Sequence, residues 1–274
     1  MGDILSGDGK VLATTEVGKD GTEEREYPYD EMFAHVVGYV NNGKSGIESN
    51  YNFQMLRSHS FFLTKLFREL KNEKNMGDSV VTTLDYDVQK AAYNALGDRD
   101  GAVVVMEAKT GKVLAMVSKP AFDPNTLEQN WDAIVSDESG SVLLNRAVSG
   151  LYPPGSTFKI FTTLEYIHEN PDYEQYHFDC QGKLTRDGNE IHCYHNSVHG
   201  EEDLADSFAN SCNTSYSTIG LSLNISKFKN LCEDLFFNRE LPGSVAANKS
   251  SFTLRKKRRT GRVCRHPLDR GIPW

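Results

Sequence analysis

A chain of 274 residues is long enough to bury one large core or two small ones, and 38% hydrophobic with 25% charged residues is ordinary for a soluble globular protein. It contains no run of 18 or more apolar residues, which excludes a membrane span within the chain, and its first residues, Met1-Gly2-Asp3-Ile4, do not open a signal peptide. Five cysteines without a CxxC pair are too few for a disulfide scaffold, and the net charge of −8 conceals a basic C-terminal end.

In chain order, residues 2–13 predict two short strands about a Gly7-Asp8-Gly9 turn, and the Glu-rich residues 14–26 predict a loop. His35–Val40 reads as a strand ending in Asn41-Asn42-Gly43, and residues 61–76 as a solvated helix or arm. This first stretch has the character of an irregular, β-rich pedestal. From Ser79 the pattern tightens. Val80–Leu84 is a β-branched strand, and Asp85 is placed to cap a helix whose Val88, Ala91, Ala92, Ala95 and Leu96 keep helical spacing. Ala102–Val117 predicts a hairpin turning near Lys109-Thr110-Gly111. Pro153-Pro154-Gly155 stops the chain before a helix starting near Ser156, with Ile160, Phe161, Leu164 and Ile167 on one side. Further helical segments are expected over 203–224 and 226–237. A strand, a helix, a hairpin and then a helix cluster indicate an α+β fold.

Ser156-Thr157-Phe158-Lys159 carries the chemistry. Positions i and i+3 share a helix face, so Lys159 is within reach of the Ser156 hydroxyl. A serine hydroxyl needs an adjacent base, and a lysine serves only with a lowered pKa. S-x-x-K alone recurs by chance in many helices. Ser211-Cys212-Asn213 lies 55 residues on. Its hydroxyl and carboxamide suit a proton relay and a grip on a substrate amide, although Ser and Asn also favour plain helix-end capping.

LYPPGSTFK (151–159) followed by SCN (211–213) resembles the class B penicillin-binding proteins, the monofunctional D,D-transpeptidases of bacterial cell-wall synthesis. GDILSGDGKVLATT (2–15), YPYDEMFAHVVGYV (27–40), SGIESNYN (45–52), GAVVVMEAKTGKVLAMVSKPAFDPN (101–125) and Asn145-Arg146-Ala147 are similar to family landmarks in family order, so the resemblance spans about residues 2–254. It implies a penicillin-binding/serine transpeptidase-like α+β fold, incomplete here, an antiparallel sheet with a helix cluster. The expected organisation is a dimerisation-domain-like pedestal over 1–78, the front of a transpeptidase domain over 79–254, and a tail over 255–274.

The resemblance further implies that Ser156 attacks the carbonyl between the terminal D-alanines of a peptidoglycan stem peptide. Lys159 takes its proton, Ser211 relays a proton to the departing D-alanine, and Asn213 binds substrate amide. β-Lactams trap Ser156, and cell-wall synthesis proteins are the expected partners. The expected location is the extracytoplasmic face of the membrane, without an anchor in this chain. Alternatives are a non-catalytic fragment, or a penicillin-recognising sensor or serine β-lactamase-like protein. The landmarks over 2–52 disfavour these last two, which lack that module.

Two departures qualify the expectation. The family's K-[ST]-G should follow Asn213 by well over a hundred residues. Lys109-Thr110-Gly111 precedes Ser156, and Arg259-Thr260-Gly261 comes too soon. Activity of this chain is therefore expected to be impaired. The tail over 255–274 holds eight Lys/Arg against Asp269, +7 by itself, which leaves −15 for residues 1–254. A nucleic-acid arm or a membrane-surface anchor would suit such charge. However, VCRHPLDRGIPW (263–274) is encodable by codons that in another frame spell MQTSIGQGNTL, which resembles the family's glycine-rich stretch beyond its second motif. A frameshift near Leu254 is the expectation, and no nucleic-acid partner. Cys180, Cys193, His195 and His199 cluster in sequence, but without a CxxC knuckle free thiols or a disulfide are favoured over zinc. By resemblance, Cys180 and Cys193 lie on a two-stranded excursion and could pair outside the cytoplasm. No cofactor or metal is expected.

Overall fold

The computed structural model describes residues 1–58, 77–137, 141–186, 188–243 and 246–254. The arm expected over 61–76 and the tail over 255–274 lie entirely outside these. The chain forms two compact units, Met1–Leu151 with Pro242–Asn248, and Tyr152–Leu241 with the residues from Lys249 on.

In the first unit a four-stranded sheet runs in the order Glu23–Glu26 (β3), Val11–Val17 (β2), Ile4–Leu5 (β1), Val80–Val81 (β4). β1 pairs antiparallel with β2 and parallel with β4. Gly9, at φ +84°, closes the β1–β2 turn, where Ser6 and Lys10 exchange hydrogen bonds. The Glu-rich stretch expected as a loop instead supplies the end of β2 and all of β3. An edge hairpin leaves one face in water, so glutamates sit on it without desolvation. Arg25 alone turns inward, donating to Glu48 Oε1 at 2.7 Å and to the Gly2 carbonyl at 2.8 Å.

His35–Val40 also departs from expectation. Ala34–Val37 is a short helix (α1) with all four residues buried. Packing overrides β propensity here: Val36 and Val37 join Ile4, Leu12, Phe33 and Ile47 in the core, and His35 Nε2 lies 3.0 Å from the Pro120 carbonyl. Gly38, at φ +90°, ends the helix where an added Cβ would lie 2.0 Å from the Ser45 carbonyl oxygen.

The capped helix and the hairpin form as expected. Asp85 accepts from Val88 N–H at 3.0 Å and starts Tyr86–Leu96. That helix lays Ala92 on Ala115 and Val117 of the antiparallel pair Gly101–Met106 and Val113–Lys119. Buried Gln89 accepts from Met116 N–H and donates to the Met116 and Met32 carbonyls at 2.7–3.0 Å. Leu127–Ser136 is a further helix that the sequence pattern did not predict.

The second unit holds the residues of interest. A 3₁₀ turn, Gly155–Phe158, runs into the helix Lys159–Glu169. Short antiparallel pairs follow, Phe178–Cys180 with Gly200–Glu202 and Lys183–Arg186 with Asn189–His192. The segment expected as one helix over 203–224 is two, Leu204–Ala209 and Asn213–Ser222, before Ile225–Asp234. The first begins in a capping box between Asp203 and Asp206 and is broken by Ser211 at φ +50°, outside the α region. Phe158 stands among Phe161, Phe228, Phe237 and Phe252, with ring centroids 5.1–5.9 Å away, and this cluster anchors the 3₁₀ turn.

Candidate active site

Ser156 and Lys159 are placed by that turn. Gly155 takes φ +55°, open to glycine at little cost, and brings the chain round from Pro154. Ser156 sits inside the 3₁₀ segment and Lys159 is the first residue of the α-helix. Residues i and i+3 of a 3₁₀ turn eclipse one another, so the two occupy one face. Ser156 is exposed, and among the described residues its hydroxyl makes no hydrogen bond.

Lys159 Nζ is engaged from the other direction. It donates to Ser211 O at 2.5 Å, Ser211 Oγ at 2.9 Å and Asn213 Oδ1 at 2.8 Å. Three N–H donors meet three acceptors, so the ammonium is saturated. The positive φ of Ser211 turns its carbonyl and its hydroxyl onto the same nitrogen. Asn213, at the start of its helix, also donates through Nδ2 to the His192 carbonyl at 3.0 Å, which ties the site to a strand. Three of the four expected residues thus meet at one nitrogen, and Ser156 stands one turn away.

Burial pushes the Lys159 pKa below the usual lysine value, with Cys212, Cys193 and Glu202 pulling weakly the other way. Tyr216, not anticipated from sequence, lies under the ammonium at 5.3 Å and contacts Thr163 Oγ1 through its hydroxyl at 2.6 Å. An aromatic one turn into the helix after the Ser-x-Asn triplet was the signal available for it.

Cys180, Cys193 and Cys212 are buried free thiols, and the Cys180 and Cys193 sulfurs are 3.7 Å apart, too far for the disulfide. His199 joins them, whereas His195 is exposed. These four are the described side chains grouped so that they could hold a metal.

Residues 101–259 match the family model described as penicillin binding protein transpeptidase domain, and residues 1–80 that described as penicillin binding protein A dimerisation domain. The peptidoglycan D,D-transpeptidase PbpA of Mycolicibacterium smegmatis is 33% identical over 254 residues, covering 85% of this chain and 51% of that protein. MrdA of Acinetobacter baumannii, a peptidoglycan D,D-transpeptidase, is 32% identical over 53% of this chain and 26% of its own length. Among solved structures, a D,D-transpeptidase domain from Eggerthella lenta aligns with TM-score 0.78 at 31% identity, over 90% of this chain and 56% of that one. Penicillin-binding protein A from M. tuberculosis, as its imipenem acyl-enzyme complex, aligns with TM-score 0.82 at 26% identity, over 90% and 62%. The chain spans about half the length of the PbpA relative.

Proposed function

Because the chain belongs to the penicillin-binding protein transpeptidase family, we propose that it is the front part of a peptidoglycan D,D-transpeptidase in which Ser156 is acylated and Lys159 is its base. The observation that carries this reading is the Lys159 ammonium held by Ser211 and Asn213, on the face it shares with Ser156. A neutral lysine keeps two N–H donors and gains a lone pair, so one of its three acceptors must give way. Ser211 Oγ is suited to do so, because a hydroxyl exchanges accepting for donating by rotating its hydrogen.

With Nζ neutral, the Ser156 proton passes to the lone pair as Oγ bonds to the carbonyl carbon between the two D-alanines. The charge that builds on the carbonyl oxygen is stabilised by backbone N–H groups at the start of the turn. Collapse breaks the peptide bond, and the proton reaches the departing D-alanine amine through Lys159 and Ser211. The ester at Ser156 is then attacked by an amine of a second stem peptide, with the same groups in reverse. Asn213 holds substrate amide through its carboxamide. A β-lactam follows the first half of this course and remains on Ser156.

The match of residues 1–80 to a dimerisation module supports this reading over a sensor or a serine β-lactamase. The expected pedestal over 1–78 would then present the transpeptidase residues of 79–254 at the extracytoplasmic face, with other cell-wall synthesis proteins as partners. The test is fluorescent penicillin labelling of a protein in which residues 1–254 continue into a K-[ST]-G strand. Label on the peptide containing Ser156, lost in Ser156→Ala, supports the reading, and an unlabelled folded protein overturns it.

A further inference from the structure

Tyr216 stands one turn beyond Asn213 in the helix Asn213–Ser222, and Thr163 stands one turn beyond Lys159 in the helix Lys159–Glu169. Side chains three or four positions apart share a helix face, so each helix offers two groups to the other. Asn213 Oδ1 accepts from Lys159 Nζ at 2.8 Å, and the Tyr216 hydroxyl meets Thr163 Oγ1 at 2.6 Å. The two helices are therefore joined by two polar rungs. One rung would leave them free to pivot about it, and the second fixes their rotation and register.

Counting hydrogens gives the direction of the second rung. Thr163 Oγ1 has one hydrogen and donates it to the Lys159 carbonyl at 2.8 Å. Tyr216 is then the donor to Thr163. Burial pushes the Tyr216 phenol above its usual value, which keeps that hydrogen in place. The relay from Tyr216 through Thr163 ends on the backbone of Lys159, whose ammonium lies 5.3 Å from the centre of the Tyr216 ring. One tyrosine thus grips one lysine at both ends. Filling space does not require this. Tyr216 is buried with Leu204 and Ile219, where phenylalanine would pack as well, and a buried hydroxyl is unfavourable unless it finds a partner. Its partner is the turn that carries Lys159.

We propose that Tyr216 is a positioning residue for acyl transfer, holding the Lys159 side chain against Ser211 and Asn213 through its ring and through Thr163. Lysine carries its charge on a flexible four-carbon stem, and an ammonium free to sample rotamers would seldom stand where Ser156 needs a base. The role rests on the reading of Lys159 as the base of acylation. Its effect falls on the acylation step and not on the binding that precedes it.

On the 274-residue chain itself, acetylation of Lys159 by acetic anhydride, followed by mass spectrometry, should be slow and should rise severalfold in Tyr216→Leu. On the protein continued into a K-[ST]-G strand, acylation by a fluorescent penicillin at several concentrations separates Kd from the acylation rate constant. Tyr216→Leu should lower that rate constant about tenfold or more, with Kd within about twofold. Tyr216→Phe keeps the ring and Thr163→Val removes the other end of the rung, and each should cost about three- to tenfold in rate. The double variant should lose no more than the larger single loss, because both changes cut one link. Thr163→Ser, which keeps the hydroxyl, should restore the starting rate. Should Tyr216→Leu fail to fold, the Phe, Val and Ser variants still decide. Unchanged Lys159 reactivity, a loss confined to Kd, or additive losses in the double variant overturn the proposal. An unaltered protein that is not acylated at Ser156 overturns the acyl-transfer reading and this role with it. Acylation that Lys159→Ala abolishes and Tyr216→Leu leaves at the starting rate overturns the role of Tyr216 alone.

Discussion

Lys159 Nζ donates to both the carbonyl and the hydroxyl of Ser211, 52 residues further along the chain, at 2.5 and 2.9 Å. An ammonium whose three N–H donors are all engaged must lose a proton before it can take one. That requirement ties the proposed chemistry to pH.

The rate of acylation by a β-lactam should climb as pH rises and level off above the Lys159 pKa. The neutral form is the base, and its fraction grows as pH passes upward through that pKa. Burial lowers the pKa below the ordinary lysine value of 10.5, so the inflection should fall below that pH. A pH profile of the rate on the K-[ST]-G-containing protein checks this. An inflection at the free-lysine value would mean that burial does not poise the base.

Ser211→Ala and Ser211→Gly should separate relay from backbone. Both remove Oγ and should slow acylation by about 10²–10⁴-fold. Glycine accepts φ +50° without strain, so its folding stability should stay within about 1 kcal/mol of the starting protein. Urea unfolding beside labelling rates reads both quantities. Equal loss of stability and rate in Ser211→Gly would reduce Ser211 to a structural residue.

Phe158→Ala should cost about 3 kcal/mol, because it opens a cavity among four other phenylalanines. It should also slow acylation, since the ring anchors the turn that carries Ser156. Chemical denaturation with a labelling time course tests both; loss of stability at an unchanged rate would separate the aromatic cluster from the turn's geometry.

Gly38→Ala should destabilise the first unit by more than about 2 kcal/mol. The new methyl would meet the Ser45 carbonyl at 2.0 Å in a φ +90° backbone that alanine resists. Thermal unfolding of the variant measures the cost, and a Tm within a degree of the starting protein would contradict the geometry.

Much of the local structure was legible in the residues. The Asp85 cap, the helical spacing from Val88 to Leu96 and the hairpin turning near Lys109-Thr110-Gly111 all depend on neighbours within a few positions. So does the Ser156 and Lys159 face, since a three-residue spacing aligns side chains whether the turn is α or 3₁₀. The helix at Ala34–Val37 was not legible, because its β-branched residues are held by distant core partners such as Ile4 and Leu12. The edge strand Glu23–Glu26 was hidden because charge on a solvated face says nothing about backbone pairing.

The sequence by itself determined the ligand-capable side chains, the nucleophile-and-lysine pair and the Ser-x-Asn triplet, since these are properties of residue type and short spacing. Only the tertiary structure decided what each one touches. It brought Lys159 to Ser211 and Asn213, put Cys212 rather than His195 beside Cys180, Cys193 and His199, and left the Ser156 hydroxyl open. Contacts between residues dozens of positions apart are fixed by how buried faces pack, and no local pattern carries that information.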